Sequence, residues 1–339
     1  MSLAYAENQA KPEAPNTALP HGWCRMDELA VIRVAAEERA AFLQNMLSND
    51  IHAVDGTTAQ LTTQCTPKGR VQALFVALER DDAYLLLLPA DNLAATLARL
   101  RLFVLRSRVT VEDASETLGC IGLLGRQAAE TAAEASGCTH LPDRPWAVRT
   151  QGDVSLLRYP GDTPRYLLVL PRERQAEIAA TLERQMHPAL PFSAWTEHEI
   201  EAGLPMVCQA TREEFVPQWI NLDLLGGLNF RKGCYPGQEV VARLHYLGKP
   251  NRRMLAGHGA LEHIPAPGTA ITDTRGTTIG QVVSAARSSA VAEDCRFLAV
   301  VRLGQLEQAA CIDSTRVWLD RETLPAQSAQ QDESPTTTH

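Results

Sequence analysis

The feature that most constrains the fold of this chain is a change in hydrophobic pattern near residue 251. Upstream of Gly248–Asn251, apolar residues recur at the spacings of strands and of helices in turn. Downstream, strand-like runs such as Thr278–Ala285 and Arg296–Leu303 are separated by Gly, Pro and Asp, with no long helical run between them. The sequence therefore predicts an α+β region over residues 21–250 and a separate small β-barrel or sandwich over residues 251–324.

Within the α+β region, strand and helix patterns follow one another along the chain. The predicted strands are Leu29–Val34, Gln60–Thr63, Val71–Glu79, Tyr84–Leu88, Arg108–Val111, Cys120–Leu124 and Tyr166–Leu170, and the predicted helices are Glu37–Leu47, Asn92–Phe103, Arg126–Glu134 and Arg172–Met186. Residues 1–20 and 325–339 are polar, and we expect a flexible lead and a disordered tail there. The N-terminus lacks a signal-peptide pattern, and no apolar run approaches the roughly 18 residues of a membrane span. A cytoplasmic protein without a membrane partner is therefore expected.

The eight cysteines are scattered, and no two have the C-x-x-C spacing. This pattern argues against a zinc ribbon or an iron–sulfur cluster site built by this chain alone, and no metal site is predicted. In a reducing compartment such cysteines are mostly buried thiols, so a disulfide framework is not expected.

The net charge of −8 excludes a general polyanion binder, because long-range repulsion would oppose it. The charge is uneven, since residues 231–253 carry six bases and one acid, which is a net +5, while the rest of the chain carries −13. This basic window is either a solvated face or a local anion site.

The densest group of chemically capable residues is the segment Lys232–Glu239, KGCYPGQE. Gly233 and Gly237 bracket Cys234, Tyr235 and Pro236, and Pro236 is suited to the first position of a helix. Cys234 would then lie near the positive end of that helix, with Lys232 two residues away, a setting that favours the thiolate. The alternative is a small buried side chain beside a tight turn. Gln238 and Glu239 would occupy the first helical turn, where Glu suits the helix dipole without any ligand role.

Two further clusters are candidates for ligand contacts. Trp195 is predicted to share a helical stripe with Glu199 and to serve either as core packing or as a platform for a flat ring. Glu201 is either solvated surface or an acceptor for an amino-substituted heterocycle. The basic turn Thr66–Arg70 lacks the spacing of a P-loop, and it either closes a hairpin or holds an anion.

These segments resemble the YgfZ family, which are folate-binding relatives of the glycine-cleavage T-protein (GcvT) and are called tRNA-modifying proteins. The hallmark K-G-C-Y-x-G-Q-E matches Lys232–Glu239, and the stretches Glu201-Ala-Gly-Leu-Pro, Phe215-Val-Pro-Gln and Pro67-Lys-Gly-Arg70 match as well. The resemblance implies a GcvT-like α+β region with ferredoxin-like elements around a central hole, closed by a C-terminal β-barrel. It also implies a monomer that binds tetrahydrofolate or a one-carbon derivative, with Trp195 and Glu201 at the folate.

The function implied by the resemblance is an accessory factor for synthesis or repair of iron–sulfur clusters in client enzymes, including tRNA methylthiotransferases. Cys234 would be the functional thiol and Lys232 its cation, Gln238 and Glu239 would hold the loop, and Arg243 would attract the glutamate tail of folate or an acidic partner. Catalysis by the chain alone is not implied, and iron–sulfur client or assembly proteins are the expected partners.

Two alternatives stay open. T-proteins carry an acidic pair in the strand that matches Val71–Phe75, and here that strand has no carboxylate. Its absence counts against a tetrahydrofolate-dependent aminomethyl-type transferase, which would need a general base there. An RNA-binding module is the second alternative, and stable nucleic-acid binding is not expected because the basic window is interleaved with few aromatics beyond Tyr235 and Tyr246.

Overall fold

The computed structural model describes residues 19–321 except 106, 139, 292 and 308. The predicted tail, 325–339, lies outside the described residues, as does the predicted lead apart from Leu19 and Pro20. Within the described part of the chain, no helix is both long and apolar enough to cross a membrane.

The α+β region contains two successive halves built in the same order. After β1 (Gly22–Arg25), the first half comprises β2 (Leu29–Ala35), α1 (Arg39–Met46), β3 (Gln60–Cys65), β4 (Val71–Arg80), β5 (Ala83–Pro89), α2 (Leu93–Arg101) and β6 (Thr110–Asp113). The second half comprises β7 (Leu118–Leu124), α3 (Arg126–Ser136), β8 (Val148–Gln151), β9 (Val154–Tyr159), β10 (Arg165–Pro171) and α4 (Gln175–Arg184). Two more helices, α5 (Phe192–Glu201) and α6 (Gln238–Leu247), follow, and the connection between them contains short 3-10 turns at Gln209–Thr211 and Pro217–Ile220.

Each half forms one antiparallel five-stranded sheet. The strand orders are β6-β2-β5-β4-β3 and β1-β7-β10-β9-β8, so that the N-terminal strand β1 takes in the second sheet the place that β6 takes in the first. The polypeptide thus repeats its topology although its sequence shows no repeat. These are the predicted ferredoxin-like elements.

Alternation along the strands divides the apolar side chains of each sheet between an outer core, beneath that sheet's helices, and a central core shared by both sheets. In β2, Ile32 and Val34 pack beneath α1 and α2, whereas Val31 belongs to a central core shared by both sheets. In β10, Leu168 packs beneath α3 and α4, whereas Leu167 belongs to that same central core. The inner faces of the two sheets therefore meet in the middle of the molecule, together with α5.

The C-terminal region is a closed six-stranded barrel, so the barrel is confirmed and the sandwich is excluded. Its strands are β11 (Arg252–Gly259), β12 (Ala270–Asp273), β13 (Thr278–Arg287), β14 (Cys295–Arg302), β15 (Ala310–Ile312) and β16 (Thr315–Asp320), in the closed order β11-β14-β13-β12-β15-β16. Met254, Val283 and Leu298 of the barrel join the central core. The Ser289 N–H donates to Glu197 Oε1 of α5 at 3.0 Å, which helps to hold the barrel against that helix.

Two features of the α+β region differ from the sequence-based expectation. Strands β1, β8 and β9 were not predicted. Helix α6 begins at Gln238, so Pro236 is not its first residue. The reason is Gly237, whose φ of +85° is left-handed and cannot belong to a right-handed helix.

Candidate functional site

A partly open cavity lies between the inner faces of the two sheets, with about 450 Å³ of free space when the solvent at its mouth is included. Its walls are mostly apolar and include Leu74 and Val76 of β4, while Trp146 and Tyr159 contribute aromatic surface. Glu199 of α5 is the only charged side chain among the residues that line it. Apolar walls with a few polar groups are typical of a site for a small organic ligand.

Glu199 is a buried carboxyl group with a raised pKa. Its Oε1 accepts a hydrogen bond from the Trp195 indole N–H at 3.0 Å, and its buried Oε2 has no hydrogen-bond partner among the described residues. Burial raises the pKa of Glu199 to about 7, although the Arg165 cation and the Trp195 hydrogen bond act in the opposite direction. A carboxyl poised near neutrality, with one free oxygen, can accept from or donate to a polar ligand.

Arg165 is the buried cation behind the cavity wall. Its guanidinium lies over the rings of Tyr159 and Trp195, with its carbon 5.2 and 5.0 Å from the ring centroids. Its Nε donates to the Pro160 carbonyl at 3.1 Å, while Nη1 and Nη2 have no partner among the described residues. Burial lowers the pKa of Arg165, and the carboxylate of Glu199 raises it. The cation thus helps to keep a fraction of Glu199 ionised inside the protein.

Of the two residues that the resemblance placed at a folate, Trp195 lies beside the cavity and Glu201 lies away from it. Trp195 is fully buried, and its ring meets Tyr159 edge to face with 4.9 Å between the ring centroids. Trp195 therefore supports the cavity wall and orients Glu199. The Glu201 side chain is 55% exposed and pairs with Arg296 of the barrel at 2.7 Å.

The aromatic residues on the cavity wall were missed from the sequence. Trp23 of β1 packs beneath α3 and α4 and is not among the residues that line the cavity. Trp146 and Tyr159 take the cavity positions, and their ring centroids are 5.2 Å apart. Trp146 precedes β8 in a backbone conformation with φ of +65°. No local signal distinguished these residues from ordinary core aromatics.

Strand β4 reaches the cavity with apolar side chains only. Gln72 is buried, and its Nε2 donates to Glu213 Oε1 at 2.8 Å. No residue from Val71 to Val76 is acidic, so the carboxylate that lines the cavity comes from helix α5 instead.

The KGCYPGQE segment packs against the basic turn Thr66–Arg70. The sequence analysis had considered the two as separate motifs. A β-carbon placed on Gly237 would lie 2.4 Å from the Thr66 carbonyl oxygen and 2.8 Å from Gly69 Cα. A β-carbon on Gly69 would lie 3.0 Å from Val240 Cβ. Both glycines also have positive φ. The close approach therefore requires glycine on each side, and it joins two segments about 170 residues apart in sequence.

Lys232 is bonded to helix α1. Its Nζ donates to the carbonyl oxygens of Gln44 and Leu47, both at 2.5 Å, at the C-terminal end of that helix. Burial lowers the pKa of Lys232 to about 8. The ammonium also lies 5.2 Å from the ring centroid of Tyr235, which is buried. These contacts fix the start of the motif to the first half of the fold.

Cys234 is exposed at the centre of this segment. Among the eight cysteines, all of which are within the described residues, it alone is exposed, and none forms a disulfide. Gly237 separates it from α6, so the thiol precedes the helix by four residues and not one or two. In the described part of the chain, no three His, Cys, Asp or Glu side chains are grouped as metal ligands.

The remaining predicted site residues lie on or beside α6. Gln238 is half-buried, and its N–H donates to the Tyr235 carbonyl at 3.2 Å, while Glu239 and Arg243 are exposed. Some basic residues of the 231–253 window are therefore exposed to solvent, and others are held in contacts within the fold. Arg253, for instance, is buried in a two-bond ion pair with Asp223, at 2.6 and 2.8 Å.

Comparison with known proteins identifies the family. The tRNA-modifying protein YgfZ of Colwellia psychrerythraea is 33% identical over 237 residues, which are 70% of this chain and 71% of that protein. This chain belongs to the YgfZ family. The YgfZ protein of Yersinia pestis strain Pestoides F is 29% identical over 261 residues, 76% of this chain and 77% of that protein. A search of family models finds no match.

The fold of this YgfZ-family member is that of the glycine-cleavage T-protein. The aminomethyltransferase T of Bartonella henselae aligns with a TM-score of 0.66 over 90% of this chain and 86% of that chain, at 16% identity. The resemblance inferred from the motifs and the GcvT-like fold class are thus confirmed.

Proposed function

We propose that this protein is a cytoplasmic, folate-binding accessory factor for the synthesis or repair of iron–sulfur clusters in client enzymes, among them tRNA methylthiotransferases. The observation that carries the proposal is the exposure of Cys234, alone among eight cysteines, at the centre of the family's motif. The curated relatives of this chain are named tRNA-modifying proteins. The chain acts through this thiol on a partner and does not complete a reaction alone.

The cavity supports tetrahydrofolate, or a one-carbon derivative, as the ligand. A pterin is a flat heterocycle with an amino group and a ring N–H on one edge. Trp146 and Tyr159 offer aromatic surface, and the unpartnered Oε2 of Glu199 offers the acceptor that such an edge needs. The residues present therefore fit the group. Glu199 takes the acceptor role that the sequence comparison gave to Glu201, because Glu201 is engaged by Arg296 outside the cavity.

The thiol of Cys234 supports brief contact with a metal or sulfur atom held by another protein. One cysteine cannot hold an iron–sulfur cluster alone, since such clusters take several thiolate ligands. Lys232 and Gly237 hold the loop in place through α1 and the 66–70 turn, which leaves the thiol presented to solvent. Gln238 and Glu239 continue the loop into α6.

An aminomethyl-type transferase activity is the less well supported hypothesis for this protein. It requires a carboxylate free to act as a base beside the reacting carbon, but β4 presents none at the cavity, and Glu199 of α5 is assigned here to the pterin edge. Turnover of tetrahydrofolate to its methylene form with an aminomethyl donor, by the purified chain, would restore that alternative.

The deciding experiment complements cells that lack this gene with wild type, Cys234→Ala or Cys208→Ala and quantifies methylthiolated tRNA by mass spectrometry. Cys208 is the matched control, because it is a half-buried cysteine whose Sγ lies 3.5 Å from Thr211 Oγ1. We expect wild type and Cys208→Ala to restore methylthiolation and Cys234→Ala to fail at equal expression. Equal rescue by all three proteins would refute the role of the thiol.

A further inference from the structure

Helix α6 exposes large apolar side chains at its surface, and only Tyr246 among them has an aromatic neighbour from outside the helix, Phe230, among the described residues. Val240 is 41%, Tyr246 64% and Leu247 82% exposed, whereas Val241, about 100° away from Val240 around the helix, is buried. Val240 and Leu247 are seven residues apart and lie on one side of the helix, and Arg243 lies between them. Large exposed apolar side chains grouped in this way are typical of a surface that binds a partner.

A second group of residues beside α6 is strongly basic. The guanidinium carbons of Arg70 and Arg252 lie 5.0 and 4.5 Å from the ring centroid of the half-buried Trp219. Burial lowers the pKa of Arg252, and the neighbouring cations Arg302 and Arg70 lower it further. Among the described residues, no ion pair within 4.0 Å involves any of these three arginines.

The two groups form one continuous surface. The Gln218 Nε2, next to Trp219 in the chain, donates to the Val241 carbonyl of α6 at 2.7 Å. On the other side, the Gly69 turn that precedes Arg70 touches Val240. The loop that carries Cys234 leads directly into this helix. We call the set of Arg70, Trp219, Val240, Leu247, Arg252 and Arg302 the α6–Trp219 surface.

We propose that the α6–Trp219 surface docks an acidic protein face of the cluster-carrying client and so brings that client to Cys234. The inference rests on the proposed function and names the partner of the same site. Three unneutralised arginines on a chain of net charge −8 select a negatively charged partner. Exposed Leu, Val and Tyr beside Trp and Arg favour a protein, since aromatic and Arg residues are enriched where protein interfaces bind most strongly.

An RNA ligand fits this surface less well. Single-stranded RNA is held by aromatic rings that are free to stack on bases, whereas Trp219 is already covered by two guanidiniums. Exposed aliphatic residues such as Leu247 also contribute little to binding a phosphate backbone. RNA binding is therefore an outcome that the test must detect and that would count against the proposal.

The test measures the affinity of the full chain for a purified tRNA methylthiotransferase from the same organism, immobilised with its clusters intact. Two variants change the surface at exposed positions, Leu247→Asp and Arg302→Glu. Two matched controls make the same kinds of change at exposed positions in the other half of the fold, Met186→Asp and Arg149→Glu. Circular dichroism melts establish that all four variants are folded.

We expect both surface variants to weaken binding at least tenfold and both controls and Cys234→Ala to stay within about twofold of wild type. The loss caused by Arg302→Glu should shrink as salt rises from about 0.1 to 0.5 M, because screening weakens exposed charge pairs. Absence of wild-type binding, or equal binding by the surface variants, would overturn the proposal. So would binding of tRNA alone, or a wild-type dimer that Leu247→Asp dissociates.

Complementation separates this inference from the proposed function. If Cys234→Ala abolishes tRNA methylthiolation while Leu247→Asp and Arg302→Glu retain it, the docking surface is wrong and the thiol role stands. If Cys234→Ala rescues fully, the proposed function itself is wrong.

Discussion

The indole N–H of Trp195 donates to Oε1 of Glu199, 3.0 Å away and one helical turn further along α5. This hydrogen bond links a buried aromatic ring to the one carboxylate among the described residues that line the central cavity. It leaves Oε2 without a partner, and it lowers a pKa that burial would otherwise raise still further. The pair therefore determines how much of the cavity's carboxyl is ionised near neutral pH.

For the folate ligand proposed above, replacing Glu199 with Gln should remove the pH dependence of binding. The ionised carboxylate accepts two N–H groups and its pKa is about 7, so wild-type affinity for 5-formyltetrahydrofolate should rise from pH 6 to pH 8. Titration calorimetry at the two pH values should find weak, pH-independent binding by Glu199→Gln. Glu201→Gln is the control and should bind like wild type. The opposite pattern would place the ligand contact at Glu201, as the sequence comparison suggested.

The same carboxyl should make folding pH-dependent. Burial raises the Glu199 pKa from 4.5 to about 7, so the folded chain keeps a proton that the unfolded chain releases between these values. Its contribution to the free energy of unfolding is therefore fully present below pH 4.5 and is lost as pH rises through 7, by about 3 kcal/mol. Urea unfolding of wild type from pH 5 to 8 should show this slope, and Glu199→Gln should reduce it. Parallel curves for the two proteins would contradict the assignment.

Trp195→Phe should shift the ligand-binding pH midpoint upward. Phe keeps an aromatic ring but lacks the indole donor, so the Glu199 carboxylate loses the hydrogen bond that stabilises its charged form. Trp23→Phe is the matched control, because Trp23 is also buried but its Nε1 has no partner within the described part of the chain. An unchanged midpoint in Trp195→Phe would show that the hydrogen bond does not control Glu199.

Gly237→Ala and Gly233→Ala should separate the two glycines of the KGCYPGQE motif. A β-carbon on Gly237 would lie 2.4 Å from the Thr66 carbonyl oxygen, and the φ of +85° disfavours any L side chain. A β-carbon on Gly233 would meet nothing within 4 Å. We expect Gly237→Ala to cost about 2 kcal/mol or more and Gly233→Ala less than about 0.5 kcal/mol in urea unfolding. Equal costs would argue against the close approach to Gly69.

Lys232→Met should destabilise the fold, because it removes both hydrogen bonds to the carbonyl oxygens of Gln44 and Leu47. The expected cost is about 1–3 kcal/mol, against little change for Lys249→Met, whose lysine is exposed. Thermal melts measure this difference.

The alkylation rate of Cys234 as a function of pH tests separately whether Lys232 acts as the cation of the thiol. A rate change in Lys232→Met alone would support that role.

Much of the fold was predictable because local spacing encodes it. The shift from mixed periodicity to short strands near residue 251 predicted a barrel after an α+β region, and the barrel strands begin at Arg252. Strand β8 was missed, since Val148–Gln151 is largely exposed and pairs only with β9 at the edge of its sheet. Edge strands carry a weaker apolar signal than central ones.

The family was also predictable from the sequence, because its motif is contiguous. The cavity could not be predicted in this way, because its residues are distant in sequence. Glu199 and Glu201 are two residues apart on α5 and point about 200° apart around the helix, so only packing of α5 against the sheets decides which of them lines the cavity. Trp146, Tyr159 and Arg165 come from separate loops and strands that local periodicity cannot place together. The contacts of Gly69 with Gly237 and of Lys232 with α1 join distant segments, and long-range contacts of this kind are set by tertiary packing alone.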